Sequence, residues 1–271
     1  MDIKALLGDA GERPLDRLVD DGGFAALFRT FACVGDSLSS GEFETLDESG
    51  GRSFHDLFEY SWGQYMARAM GSKAYNFSRG GMTAKVYMES FAEEMGYWDP
   101  AKACQAYILA LGVNDVSMAM REGWPIGDMA DVKDDWRDNA KTFAGYYGAI
   151  IQRYRAISPD AKFFLLTMPV MPDRPAERVP LEEEHTRLIH AMAARFDKTY
   201  VIDLRKYAPV YDAAFKEAFF LNGHLNPCGY ILTAKMVMSY MDYIIRHNMD
   251  DFREAGLIGT PFKNVRQGDR A

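Results

Sequence analysis

Ser37 stands where a serine can be made into a nucleophile. The run from Thr30 to Val34 is small and mostly apolar and reads as a buried strand, and Gly35-Asp36-Ser37 breaks it where a strand hands over to a loop. In open parallel α/β sheets that carboxyl edge is where ligands bind, because the loops there line a crevice. A serine hydroxyl alone attacks poorly. It needs a base to take its proton and hydrogen-bond donors for the charge that grows on the substrate carbonyl. Five histidines are available as the base: His55, His185, His190, His224 and His247. His224 lies in a turn-rich stretch, Gly223-His224-Leu225-Asn226-Pro227, just before the last helix, where a bend in the chain can deliver an imidazole to the same sheet edge. The other four have no evident partner and read as surface or packing residues.

Four separated blocks extend this reading. Gly35-Asp36-Ser37-Leu38, then Asn76-Phe77-Ser78-Arg79-Gly80-Gly81-Met82-Thr83, then Gly112-Val113-Asn114-Asp115, then His224-Leu225-Asn226-Pro227-Cys228-Gly229-Tyr230 follow one another in order. Together they resemble the signature of the GDSL, or SGNH, hydrolases over about Phe31 to Tyr240. The resemblance implies a three-layer α/β/α sandwich with a flavodoxin-like, five-stranded parallel sheet, and a serine esterase working through an acyl-enzyme. It implies Ser37 as nucleophile, His224 as base, and an oxyanion hole made by the backbone of Ser37, the backbone of Gly81 (with Gly80 as the fallback) and the side chain of Asn114. Asp36 and Asp115 are expected to hold the loops. The substrate class it implies is a small-molecule or saccharide ester carrying a small acyl group, and it calls for no cofactor or metal. Its nearest rivals are an acyltransferase with the same residues and a decayed member that only binds a glycan or acyl ligand.

One departure from the family pattern stands out. Where members carry an aspartate three residues before the histidine, this chain has Leu221. Leucine cannot orient an imidazole. The expected substitute is a backbone carbonyl near Leu221 or Asn222, giving a Ser–His dyad. Asp203 at the end of the fifth strand is the acidic alternative, with Glu217 and the Asn222 side chain as further candidates.

The elements that must position these residues alternate. Strands are expected at 30–34, 74–77, 106–111, 162–167 and 199–203, the third apolar throughout and so central. Helices are expected at 14–28 (interrupted near Gly22-Gly23), 54–70 with Ser53 as N-cap, 83–95, 132–157, 181–196 and 229–246. The Met-rich stretch from Met118 to Met129 reads as helix packing. Arg174 and Arg178, in a Pro-rich loop at the sheet edge, read as solvated charges.

Composition bounds the rest. A chain of 271 residues suits one α/β domain, with residues 1–29 as a helical flank and 249–271 as a tail. A formal charge of −8 without a segregated basic stripe argues against a nucleic-acid partner. Three widely spaced cysteines, Cys33, Cys104 and Cys228, imply no disulfide framework. The first residues lack the basic start and apolar core of a signal peptide, and no apolar run approaches membrane-spanning length, so a cytoplasmic enzyme is expected. No Gly-x-x-x-x-Gly-Lys-Ser/Thr loop, post-strand Gly-x-Gly-x-x-Gly or His-Glu-x-x-His occurs, which disfavours nucleotide and zinc chemistry.

Overall fold

The computed structural model describes residues 7–9 and 11–264; the outer parts of the expected flank and tail lie outside the described residues. Five parallel strands form the central sheet: β1 (Thr30–Gly35), β4 (Lys73–Ser78), β5 (Ala106–Ala110), β6 (Lys162–Leu166) and β7 (Thr199–Ile202), in the order β4-β1-β5-β6-β7. The order reverses between β1 and β5, so the chain leaves a crevice beyond their carboxyl ends, as in other doubly wound sheets. Register places the last residue of β1, Gly35, beside Ser78 of β4 and Ala110 of β5. Three of the four sequence blocks therefore start from one line across the sheet.

Alternation along β1 divides its side chains between two cores. Ala32 and Val34 join one with Phe143 to Tyr154, while Phe31 and Cys33 join the other with Trp62, Met66 and the last long helix. The principal helices are α1 (Trp62–Met70), α2 (Val113–Glu122), α3 (Phe143–Ile157), α4 (Val179–Arg195) and α5 (Pro227–His247). Among the described residues none is long and apolar enough to cross a membrane.

Two small hairpins complete the site's surroundings. β2 (Glu42–Leu46) pairs antiparallel with β3 (Arg52–Asp56), and β8 (Phe220–Leu221) pairs with β9 (His224–Leu225) through the turn Asn222-Gly223. The first replaces the beginning of the helix expected from Ser53. Ser53 pairs with Thr45, and α1 starts only after Ser61, whose hydroxyl accepts from Gln64 N at 3.1 Å.

Other expectations change as well. The segment at 14–28 forms only a short 3₁₀ turn, Gly23–Leu27, because its amides bond to α5: Val19 N to Ser239 Oγ and Phe24 N to Asp242 Oδ1, both at 2.8 Å. The helix expected from 132 begins at Phe143. Asp128 and Asp135 instead cap two 3₁₀ turns, their side chains competing for amides that a longer helix would use. Arg178 is buried rather than solvated, bonded to Glu182 at 2.7 Å, Ser117 Oγ at 2.7 Å and the Val113 carbonyl at 3.0 Å, which docks the Pro-rich loop onto α2. Of the Met-rich stretch, Trp124 and Met129 pack against the first core from outside α2, while Met118 and Met120 on α2 join neither core, so helix packing of these methionines is not what the stretch does.

Candidate active site

Ser37 opens a one-turn helix, Ser37–Ser40, directly after β1. Asp36 caps it, accepting from Leu38 N at 3.1 Å, and Gly41, with φ of 80°, ends it. A side chain at Gly35 would overlap Ser39 Oγ, so glycine is what lets the turn fold back on the strand. Burial pushes the Asp36 carboxyl up to about 7. The turn packs against β4, β2 and β9.

The glycine and asparagine blocks are clamped together. Asn114, in the first turn of α2, gives one Nδ2 proton to the Met82 carbonyl at 3.1 Å and has a second to offer. Its neighbour Asp115 accepts from Ala84 N at 2.9 Å and is fully buried, which pushes its carboxyl up to about 7. Gly81 sits at φ 70°, and a side chain there would meet only open space. Its surroundings can therefore admit a ligand atom. Asp36 and Asp115 hold these loops, in line with the expectation for both.

His224 arrives from the other side, on β9. The Asn222-Gly223 turn, with Asn222 at φ 57°, sets Leu221 directly opposite His224. The ring does not rest on a carbonyl of this hairpin. Its Nδ1 meets Glu44 Oε2 at 3.3 Å and its Nε2 meets Glu42 Oε1 at 3.0 Å. Both glutamates come from β2, two residues apart and so on one face of the strand, with Phe54 and Asp56 of β3 beside them. The Phe54 ring lies edge-on to His224, centroids 5.8 Å apart.

The remaining candidates for orienting His224 lie elsewhere. Asp203 accepts from His190 Nε2 at 2.9 Å and Thr167 Oγ1 at 2.9 Å and caps the turn after β7. The Asn222 side chain bonds to the Glu44 carbonyl at 2.8 Å, and Glu217 is exposed on the helix Ala213–Phe219. Sequence reasoning missed Glu42 and Glu44. The available signal was the alternation Glu42-Phe43-Glu44-Thr45-Leu46 before a Gly50-Gly51 turn, a hairpin pattern with its acids on one face.

Among the other histidines, His185 is fully buried, donates from Nε2 to the Leu111 carbonyl at 3.1 Å, and is pushed down to about 4 by burial. It is a neutral packing residue.

Comparison with protein-family models finds the GDSL-like Lipase/Acylhydrolase family over residues 33–232. The chain belongs to that family. Membership makes this GDSL-like chain a hydrolase acting on esters. Solved structures share the GDSL-like fold at low sequence identity. A family two carbohydrate esterase from Clostridium thermocellum, solved with cellohexaose, matches with a TM-score of 0.56 and 16% identity over 82% of this chain and 65% of its own. The acetyl xylan esterase AlAXEase matches with a TM-score of 0.50 and 19% identity over 78% and 98%. A protein from Lactobacillus plantarum matches with a TM-score of 0.58 and 14% identity over 80% and 97%. A search of curated proteins finds no match.

Proposed function

We propose that this chain is a serine esterase that removes a short acyl group, carried on a saccharide or another small alcohol, through an acyl-enzyme on Ser37. The observation that carries the reading is convergence: the turn bearing Ser37, the Gly81 turn at the end of β4, the Asn114 helix after β5 and β9 bearing His224 meet at one edge of the sheet. In this reading His224 Nε2 takes the Ser37 proton as Oγ bonds to the ester carbon. The oxyanion accepts from the N–H groups of Ser37 and Gly81 and from the second Asn114 Nδ2 proton. Collapse breaks the ester C–O bond, the alkoxide leaves with the proton from His224, and water repeats the sequence on the acyl-enzyme. The resting geometry has Nε2 on Glu42, so substrate must displace that carboxylate before the ring can serve Ser37.

In this reading the short acyl group enters a cavity of about 70 Å³ beside the site, which Ser37, Gly81, Asn114 and His224 do not themselves line. Its walls include Leu38, Val113 and Leu225, the chain neighbours of Ser37, Asn114 and His224, together with Met168 and Pro169. The fold likeness to carbohydrate esterases makes acetylated saccharides the first natural esters to try. The contact of Glu42 with Nε2 favours a second reading, a decayed binder, and covalent labelling of Ser37 by a fluorophosphonate separates the two.

The test is hydrolysis of p-nitrophenyl acetate, butyrate and octanoate and of acetylated xylan oligosaccharides. Ser37→Ala and His224→Ala each reduce kcat by at least ~10³-fold, since they act as one unit. The octanoate falls at least ~100-fold below the acetate in kcat/KM, because each methylene that overfills an apolar pocket counts for ~1–3 kcal/mol. A folded Ser37→Ala protein that hydrolyses acetate at the wild-type rate refutes the mechanism.

A further inference from the structure

Glu44 is built into the protein in a way that surface glutamates are not. Its side chain is only 3% exposed. Oε2 accepts from Gly223 N at 3.0 Å and faces His224 Nδ1 at 3.3 Å, while Arg52 Nε stands 3.3 Å from Oε1. The Glu44 carbonyl accepts from Asn222 Nδ2 at 2.8 Å, so both residues of the β8–β9 turn are tied to this one glutamate. β2 is fixed in turn by Tyr230 of α5, whose hydroxyl donates to the Glu42 carbonyl at 2.7 Å. A buried carboxylate is costly unless its oxygens are satisfied; the turn that carries His224 satisfies Oε2, while Oε1 has no hydrogen-bond partner and faces only the Arg52 guanidinium.

We infer that Glu44 is the positioning acid of His224, supplied from β2 in place of the aspartate that Leu221 displaces. The inference rests on the esterase reading. Once Glu42 has been displaced from Nε2, the Glu44 carboxylate accepts the Nδ1 proton, which leaves Nε2 free of a proton in the neutral ring and pointing away from Glu44. It also stabilises the imidazolium that forms when Nε2 takes the Ser37 proton. Glu42 cannot fill this role, because it meets the opposite nitrogen, the one that must exchange a proton with Ser37. The hairpin β2–β3 follows the nucleophile immediately in sequence, so the acid enters the site with Ser37 rather than with the histidine loop.

Replacement at two positions tests this. Glu44→Gln keeps an oxygen that accepts from both Gly223 N and Nδ1 but loses the charge, whereas Glu44→Ala loses both. With p-nitrophenyl acetate, Glu44→Gln is expected to lower kcat by about 10- to 100-fold and Glu44→Ala by at least ~10³-fold, with KM within about threefold of wild type. Leu221 lies opposite His224 in the β8–β9 register, so Leu221→Asp in the Glu44→Ala background puts a carboxylate back beside the ring. It is expected to recover kcat at least ~10-fold, a gain that a purely structural role for Glu44 would not produce. The inference is overturned if folded Glu44→Ala retains kcat within about threefold, or if its loss is not recovered by Leu221→Asp. Ser37→Ala, run in parallel, separates the two levels. If Ser37→Ala is inactive while the Glu44 series fails, only this inference falls; if Ser37→Ala stays active, the esterase reading falls and this inference with it.

Discussion

Replacing Asp115 with asparagine should change how the protein's stability depends on pH. In the folded chain the carboxyl is buried, receives one hydrogen bond from Ala84 N, and leaves Oδ2 without a partner. Burial raises it from 3.8 to about 7. Between those values the folded state binds a proton that the unfolded state has released, so raising the pH favours unfolding. The stability held by the neutral carboxyl is fully present below pH ~4 and is lost as pH rises through ~7. A difference of about three pH units at ~1.36 kcal/mol each sets a ceiling of roughly 4 kcal/mol. Relaxation and water reaching the ionised group reduce this to ~1–2 kcal/mol. In Asp115→Asn the side-chain carbonyl oxygen would accept the same Ala84 amide and the group would never ionise. Its unpartnered amide adds a cost that does not vary with pH. Thermal melts of both proteins at pH 4.5 and pH 8.5 should therefore show the mutant-minus-wild-type Tm difference rising by ~3–6 °C toward high pH. A difference constant to within ~1 °C would mean that Asp115 is already ionised at low pH or that burial does not penalise its charge, and would refute the reasoning.

Two further outcomes follow from the same geometry. Gly112→Ala should destabilise the protein by ~2–4 kcal/mol in chemical denaturation and remove most esterase activity, because φ there is 141° and the added methyl overlaps His185 Nε2 just before Asn114. A Tm within 1 °C of wild type, with activity retained, would show that the α2 start does not depend on that close approach. Glu42→Gln should raise kcat/KM for p-nitrophenyl acetate by about three- to tenfold, since a neutral amide holds Nε2 less firmly than a carboxylate does. A hundredfold loss would instead make Glu42 part of the catalytic machinery.

The sheet and the four blocks were legible because their signals are local. β1, β5 and β6 are short apolar runs ended by Gly or Pro within a few residues, and α5 begins at an Asn226-Pro227 pair that both caps and starts a helix. The β2–β3 hairpin was not legible in the same way. All of β3 is exposed, so no buried alternation marked it, and the apolar residues after Ser53 imitated a helix face. What orients His224 was hidden for a different reason. Glu44 lies 180 residues from His224, and its role depends on two hairpins docking together, which no window of sequence reveals. The Asn222-Gly223 pair did carry a strong local hairpin signal, and it would have placed Leu221 across from His224 rather than in a flexible loop.

The separation of His224 from the rest of the site also sets the order in which that site can come into being. Ser37, Glu42 and Glu44 lie together near the amino end, and Asn114 follows before the chain is half made. The imidazole arrives only when β8–β9 and α5 have been synthesised and docked against the first hairpin, through the bonds of Asn222, Gly223 and Tyr230 to β2. Contacts between such distant segments form late, because their loop closure is costly. A nascent or truncated chain thus carries an exposed serine with no base beside it. On the esterase reading, acyl transfer to Ser37 would be acquired last, with the docking of β8–β9 and α5.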